Sequence, residues 1–296
     1  MTPELVLDAR AQLGEGPLWD DRRQRLLFVD IMRGHVHEFD PVTGRDRIVE
    51  IGRPTGAVVL AASGGWIVAA QGGFWHVDPD SGRTTKIADA EAGRDDTRMN
   101  DGAVDARGRF WAGTMSLHHK SEQGTLYRLD ADHSVRAMLA PVTTSNGIAW
   151  SDDGTRMYYV DTRTGRIDLF DFDPDAGTIH NRRVFVAVPP GEGKPDGLIL
   201  DRDGGVWLTL WQGGAVHRYT PDGERDLVIH FPVTLTTKCA FGGKDLDELY
   251  VTSAWIDLDD AGRRAEPQAG GVFRVKTGHV GRVANRYQER RNHEGR

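Results

Sequence analysis

Leu26-Leu27-Phe28-Val29-Asp30, Trp66-Ile67-Val68-Ala69, Phe110-Trp111-Ala112-Gly113, Met157-Tyr158-Tyr159-Val160-Asp161, Val206-Trp207-Leu208-Thr209 and Leu249-Tyr250-Val251-Thr252 are six versions of one short apolar and aromatic segment. They begin 40 to 49 residues apart and span most of the 296-residue chain. Before them stand turn sequences such as Ser63-Gly64-Gly65, Ala106-Arg107-Gly108, Asp152-Asp153-Gly154 and Asp203-Gly204-Gly205. Such residues tolerate positive φ or form side-chain turns. After each comes a second run of strand character, for example Val36-His37-Glu38-Phe39-Asp40, Leu126-Tyr127-Arg128-Leu129-Asp130 and Val272-Phe273-Arg274-Val275. Polar and apolar residues alternate in most of these runs, as in a strand with one wetter face. Turns such as Asp40-Pro41-Val42-Thr43-Gly44 and Asp173-Pro174-Asp175-Ala176-Gly177 close the hairpins.

Strand units of this length, repeated evenly and without a helical period, predict an all-β protein, a six-bladed β-propeller. The segment near Leu5-Val6-Leu7 is expected to complete the blade built from the C-terminal strands, which closes the ring and leaves no long open edge. A two-sheet sandwich or two all-β domains in tandem fits less well, because no linker interrupts the repeat. One propeller domain is assigned to residues 1–285 and a polar C-terminal tail to 286–296. The wider basic run Arg282 to Arg296 reads as frayed chain. The segment from Trp255 to Gly271 reads as a long loop over one face.

Composition narrows the function. Hydrophobic residues make up 39% and charged ones 27% of the chain, ordinary for a globular protein. The formal charge is −7, with no basic face to suit a nucleic-acid partner. No stretch is apolar for long enough to span a membrane, and no basic segment leads into an apolar core at the start. With Cys239 the single cysteine there is no intrachain disulfide. A cytoplasmic location is the expectation, with monomer and dimer both open. Cys239 lacks a nucleophile motif and reads as a buried thiol. The chain has no paired Cys or His spacing of a zinc site and no G-x-S-x-G elbow.

Four segments carry polar residues that the turns do not explain: Leu13-Gly14-Glu15-Gly16-Pro17, Arg98-Met99-Asn100-Asp101-Gly102, Ser145-Asn146-Gly147-Ile148 and Pro195-Asp196-Gly197-Leu198. Asn-Gly and Asp-Gly alone are common turn dipeptides. These four, however, lie at one phase of the repeat, shortly before the apolar segments, and equal phase in different blades means convergence on the axis. Propellers carry function in loops at one end of the channel. Glu15, Asn100, Asn146 and Asp196 would therefore meet there. Two carboxylates with amide oxygens suit a hard divalent cation such as Ca²⁺, Mg²⁺ or Mn²⁺.

With Phe110-Trp111-Ala112-Gly113-Thr114-Met115 and Cys239-Ala240-Phe241-Gly242-Gly243, these segments resemble the SMP-30/gluconolactonase/LRE-like family over essentially the whole chain. The resemblance implies a six-bladed propeller holding one divalent ion through Glu15, Asn146 and Asp196, with Asn100 joining directly or through water. Ca²⁺ stands first among the ions, before Zn²⁺, Mg²⁺, Mn²⁺ or Fe²⁺. It implies Arg98, Asn100 and Asp101 as substrate contacts, Asp196 as general base, and hydrolysis of a small-molecule sugar lactone to the aldonic acid. Hydrolysis of other lactones or organophosphates, and a non-catalytic calcium-binding propeller, are the alternatives. One departure stands out: where some members carry an acidic pair after the Ala-Gly-Thr-Met segment, this chain has Leu117-His118-His119. His118 is the candidate to replace the acid as a partner for substrate hydroxyls.

Overall fold

The computed structural model describes residues 1–290. Six four-stranded antiparallel sheets stand around one axis. Blade one comprises Gly14–Asp20, Arg25–Asp30, His35–Asp40 and Arg45–Glu50, from the axis outward. Blade two comprises Thr55–Leu60, Trp66–Ala70, Gly73–Val77 and Thr84–Asp89, and blade three Thr97–Val104, Phe110–Ser116, Gly124–Leu129 and Val135–Val142. Blade four is Ser145–Trp150, Arg156–Asp161, Arg166–Asp173 and Thr178–Ala187, and blade five Lys194–Leu200, Val206–Trp211, Ala215–Tyr219 and Arg225–His230. Blade six joins Thr236–Gly242, Glu248–Ser253 and Val272–Lys276 to the N-terminal strand Glu4–Leu7, which pairs antiparallel with Val272–Lys276. The ring closes as the sequence implies.

The apolar repeat segments are the second strand of each blade. Both faces of that strand are covered by neighbouring blades, which is why it reads as a continuous apolar run. Trp66, Trp111 and Trp207 are fully buried there. Two blades also share a polar device. The indole N–H of Trp111 donates to Asp105 Oδ2 at 2.9 Å and that of Trp207 to Asp201 Oδ2 at 2.9 Å. Each aspartate also accepts from an arginine Nε, Arg109 at 2.6 Å and Arg218 at 2.7 Å. At these two positions the buried indole N–H is satisfied.

Two sequence expectations change. The segment Trp255 to Gly271 is no bare loop: it contains a short helix, Asp260–Ala265, capped by the Asp259 side chain on Gly262 N–H at 2.7 Å. It connects strands at the end of the channel where each innermost strand begins. The tail boundary at 286 also fails for 286–290. Tyr287 is completely buried among Ala61, Phe74 and Leu129. Its N–H donates to Leu60 O at 2.8 Å and its hydroxyl to Asp130 O at 2.8 Å. Gln288 N–H reaches Gly108 O at 2.9 Å and Arg290 N–H Ala131 O at 2.7 Å. Tyr287 outweighs the polar composition around it, so the chain straps the lower end of the channel. The remainder of the expected tail, 291–296, lies outside the described residues. Among the described residues no helix is long and apolar enough to cross a membrane.

Candidate metal and substrate site

Each innermost strand loses register with its neighbour at one corresponding place. The slips fall between Glu15 and Leu18, Thr55 and Ala57, Met99 and Gly102, Ser145 and Ile148, Pro195 and Leu198, and Thr236 and Cys239. A bulge of this kind bends the strand and re-aims side chains. Counted from the turns that end the strands, at Asp20, Ala61, Asp105, Ser151, Asp201 and Gly242, corresponding residues form levels along the channel. The uppermost of these levels holds Glu15, Gly56, Asn100, Asn146, Asp196 and Thr237. The next holds Gly16, Ala57, Asp101, Gly147, Gly197 and Lys238. The four phased residues therefore share one level, but they lie within strands and not in loops as the sequence suggested. Their glycines look like turn residues because crowding near the axis demands them: a Cβ on Gly147 would collide with the Asp196 carbonyl and the Leu198 amide of the next blade.

All the phased side chains are buried. Glu15 Oε2 accepts from Gly16 N–H at 2.7 Å. Burial first, then the charge of Asp101, pushes its carboxyl up to about 8, against the opposing pull of Lys238 and Arg98. Burial followed by the charges of Glu15 and Asp101 holds Asp196 well above the usual carboxylate range. Asn146 Nδ2 donates to Asp196 Oδ1 and, at 3.0 Å, to Thr162 Oγ1. Asn146 Oδ1 is buried with no hydrogen-bond partner. Two aspartates that end second strands tie down the entries to innermost strands. Asp161 accepts from Thr143 and Thr144 N–H, both at 2.9 Å, and Asp30 from Gln12 and Leu13 N–H at 2.8 and 3.1 Å.

Arg98 is buried against the same group. Its Nη1 donates to Asn100 Oδ1 at 2.6 Å and to Met99 O at 3.0 Å, while Asn100 Nδ2 donates to Ser145 O at 2.8 Å. Burial lowers Arg98 to about 10, with Glu15 and Asp196 opposing that shift, so it stays charged at neutral pH. Because the Asn100 oxygen faces Arg98, a water-mediated role suits Asn100 better than direct ligation. Asp101 is turned away from the mouth: its Oδ1 accepts from Gly102 N–H at 2.6 Å and pairs with Lys238 Nζ, leaving Oδ2 buried without a partner. His118 is exposed on the connection after Ser116, which pairs with Thr97 beside Arg98, so it stands on the rim of blade three.

The donors fit a hard divalent cation. Two carboxyl groups whose ionisation burial and neighbouring acids disfavour, beside a buried amide oxygen with no donor, are the groups such an ion would satisfy. Among the described residues no group of three or more His, Cys, Asp or Glu side chains is placed to hold an ion, so a cation here would need an oxygen of another kind, such as the Asn146 amide. A cavity of about 420 Å³ lies lower in the channel, lined by Leu18, Ala103, Ala149 and Ile199 and by residues 282–285. That cavity is mainly apolar and is lined by none of the upper level's carboxylates. Lys238 escaped the sequence reading. A lone charge inside the otherwise uncharged strand Thr236–Gly242, at the step where three other blades carry glycine, is the signal that marks it.

Fold and site together define a six-bladed propeller with an oxygen-donor centre on its axis. Residues 13–255 match the model of the SMP-30/Gluconolactonase/LRE-like region, and the chain belongs to that family. It is 37% identical over 278 residues to regucalcin of Gallus gallus and 36% identical over 278 residues to that of Xenopus laevis. Either alignment covers 92% of this chain and 93% of the relative. Among solved structures, a calcium-binding protein, regucalcin, of Agrobacterium tumefaciens superposes with a TM-score of 0.93 at 29% identity, covering 97% of both chains. A luciferin-regenerating enzyme superposes at 0.89 with 30% identity, covering 97% of this chain and 99% of the other.

Proposed function

We propose that this protein hydrolyses a sugar lactone to the corresponding aldonic acid with the help of one divalent cation held by Glu15, Asn146 and Asp196. The observation that carries the reading is the unpartnered Asn146 oxygen at the level of two buried carboxylates that lack a compensating cation of their own. When bound there, a divalent cation polarises a carbonyl oxygen and makes a neighbouring water more acidic. Asp196 accepts the proton of the attacking water and delivers it to the ring oxygen as the acyl–oxygen bond breaks. Arg98, fixed by Asn100, donates to substrate hydroxyls and faces the negative charge that develops on the former carbonyl oxygen. His118 on the rim meets the distal hydroxyls. The names of the relatives support this reading: the family's name includes gluconolactonase, and the Agrobacterium relative is described as calcium-binding.

The test is a panel of aldonolactones, each assayed with Ca²⁺, Mg²⁺, Mn²⁺ and Zn²⁺, on wild type and Asp196→Ala. Chelation should abolish turnover and a divalent ion restore it. Asp196→Ala should lose turnover and bind metal weakly while keeping a cooperative melt. Near-wild-type lactonase activity in that variant would refute the assigned base. Tight calcium binding without turnover of any lactone, other ester or organophosphate would favour the non-catalytic reading.

A further inference from the structure

Lys238 and Asp101 belong to innermost strands of blades six and three, which face each other across the ring. Their side chains meet on the axis, with 6% and 0% of their surface exposed. Lys238 Nζ also lies 3.5 Å from the Gly102 carbonyl. No other long side chain occupies this level, where Gly16, Ala57, Gly147 and Gly197 stand in the remaining blades. A Cβ on Gly197 would overlap Cβ and Cγ of Lys238, so that glycine clears the path the lysine follows. Above the pair stand Glu15, Asn146 and Asp196; below it lies the apolar cavity. Lysine and aspartate form a bar that divides the channel.

The bar also governs the charge beneath the site. Glu15, Asp101 and Asp196 are buried acids, and Arg98 and Lys238 are buried bases. An unmatched Asp101 would present a third carboxylate to any cation above it, and an unmatched Lys238 would repel that cation. Matched, they add no net charge beneath the site and leave Glu15 and Asp196, with Arg98 beside them, to face a divalent ion. At the low effective dielectric of a buried site such differences are large.

We propose that Lys238 and Asp101 are positioning residues whose cross-channel ion pair sets the divalent-cation affinity of the site and forms its floor. The proposal rests on the metal reading given under Proposed function. Its test is calorimetric titration of Mn²⁺ and Ca²⁺ into the metal-stripped full chain, a readout independent of turnover. Lys238→Met should bind at least tenfold more tightly and Asp101→Asn at least tenfold more weakly, each about 1.4 kcal/mol in opposite directions. The double variant Asp101→Asn/Lys238→Met, neutral and nearly isosteric, should return to within threefold of wild type. A purely structural role would weaken binding in both single variants without recovery in the double. That result, or no shift beyond threefold in either single variant, overturns the proposal. Should Lys238→Met fail to fold with its acid unmatched, the loss in Asp101→Asn and its recovery in the double variant still decide. Wild-type protein that binds neither ion overturns the metal reading itself, a result distinct from wild-type binding with unmoved variants.

Discussion

Replacing Glu15 with glutamine should make the metal-free protein more stable and unable to hold its cation. The carboxyl rises from an ordinary 4.5 to about 8 in the fold, chiefly through burial and then through repulsion from Asp101. A group with a raised folded pKa contributes its full stability below the unfolded value and loses it as pH climbs toward the folded one. Each pH step above 4.5 therefore costs the metal-free fold about 1.4 kcal/mol until the folded carboxyl ionises. The accumulated loss is under about 1 kcal/mol at pH 5, about 3 kcal/mol at pH 7 and about 5 kcal/mol beyond pH 8. Glutamine never ionises, and its oxygen can still accept from Gly16 N–H. At roughly 2 °C per kcal/mol for a chain of this size, Glu15→Gln should melt about 6 °C above wild type at pH 7 and nearly level with it at pH 5. The assay is thermal melting in chelator at pH 5, 7 and 8.5. Divalent ion at a thousand times its Kd should reverse the order at pH 7, since it adds about 4.1 kcal/mol to wild type alone. A glutamine variant that melts at or below metal-free wild type at pH 7, or a gap that ignores pH, would refute the account of buried, cation-starved carboxylates.

Two further outcomes test the strap and the rim. Tyr287→Ala removes a fully buried ring and the hydroxyl donated to Asp130 O, so it should cost about 3–5 kcal/mol in urea denaturation; an unchanged midpoint would mean that 286–290 does not dock as described. His118→Ala should raise KM for polyhydroxylated lactones several-fold with kcat nearly unchanged, because the side chain is exposed on the rim and away from the buried acids. A fall in kcat at constant KM would remove His118 from the substrate contacts.

The fold was legible because the second strand of each blade is buried on both faces and spells out its burial in apolar letters. The innermost strands were not legible as strands. Crowding at the axis replaces their side chains with glycine, and the polar residues beside those glycines imitate turns. The phase of Glu15, Asn100, Asn146 and Asp196 survived that disguise, because equal spacing from the bottom turn puts corresponding residues on one level whatever the local conformation. What periodicity cannot report stayed hidden. The helix Asp260–Ala265 has six residues and none is buried, so it leaves no amphipathic trace. Tyr287 is a single aromatic within a basic run, and one residue establishes no pattern.

Lys238 shows why the composition of a site is harder to read than its position. A lysine in an inner strand is, by burial alone, an error that the chain should not tolerate. It becomes tolerable only with Asp101, which is 137 residues away in sequence and comes from the opposite blade. Glycine and alanine in the other four blades supply the space. No local rule links these three features; only the closed ring makes them one device. A propeller spreads its core over six similar blade interfaces, so a few kcal/mol of electrostatic strain at the axis leaves the surrounding sheets intact. Opposed buried charges can then be kept where, on the proposed reading, they would serve a cation rather than the stability of the fold.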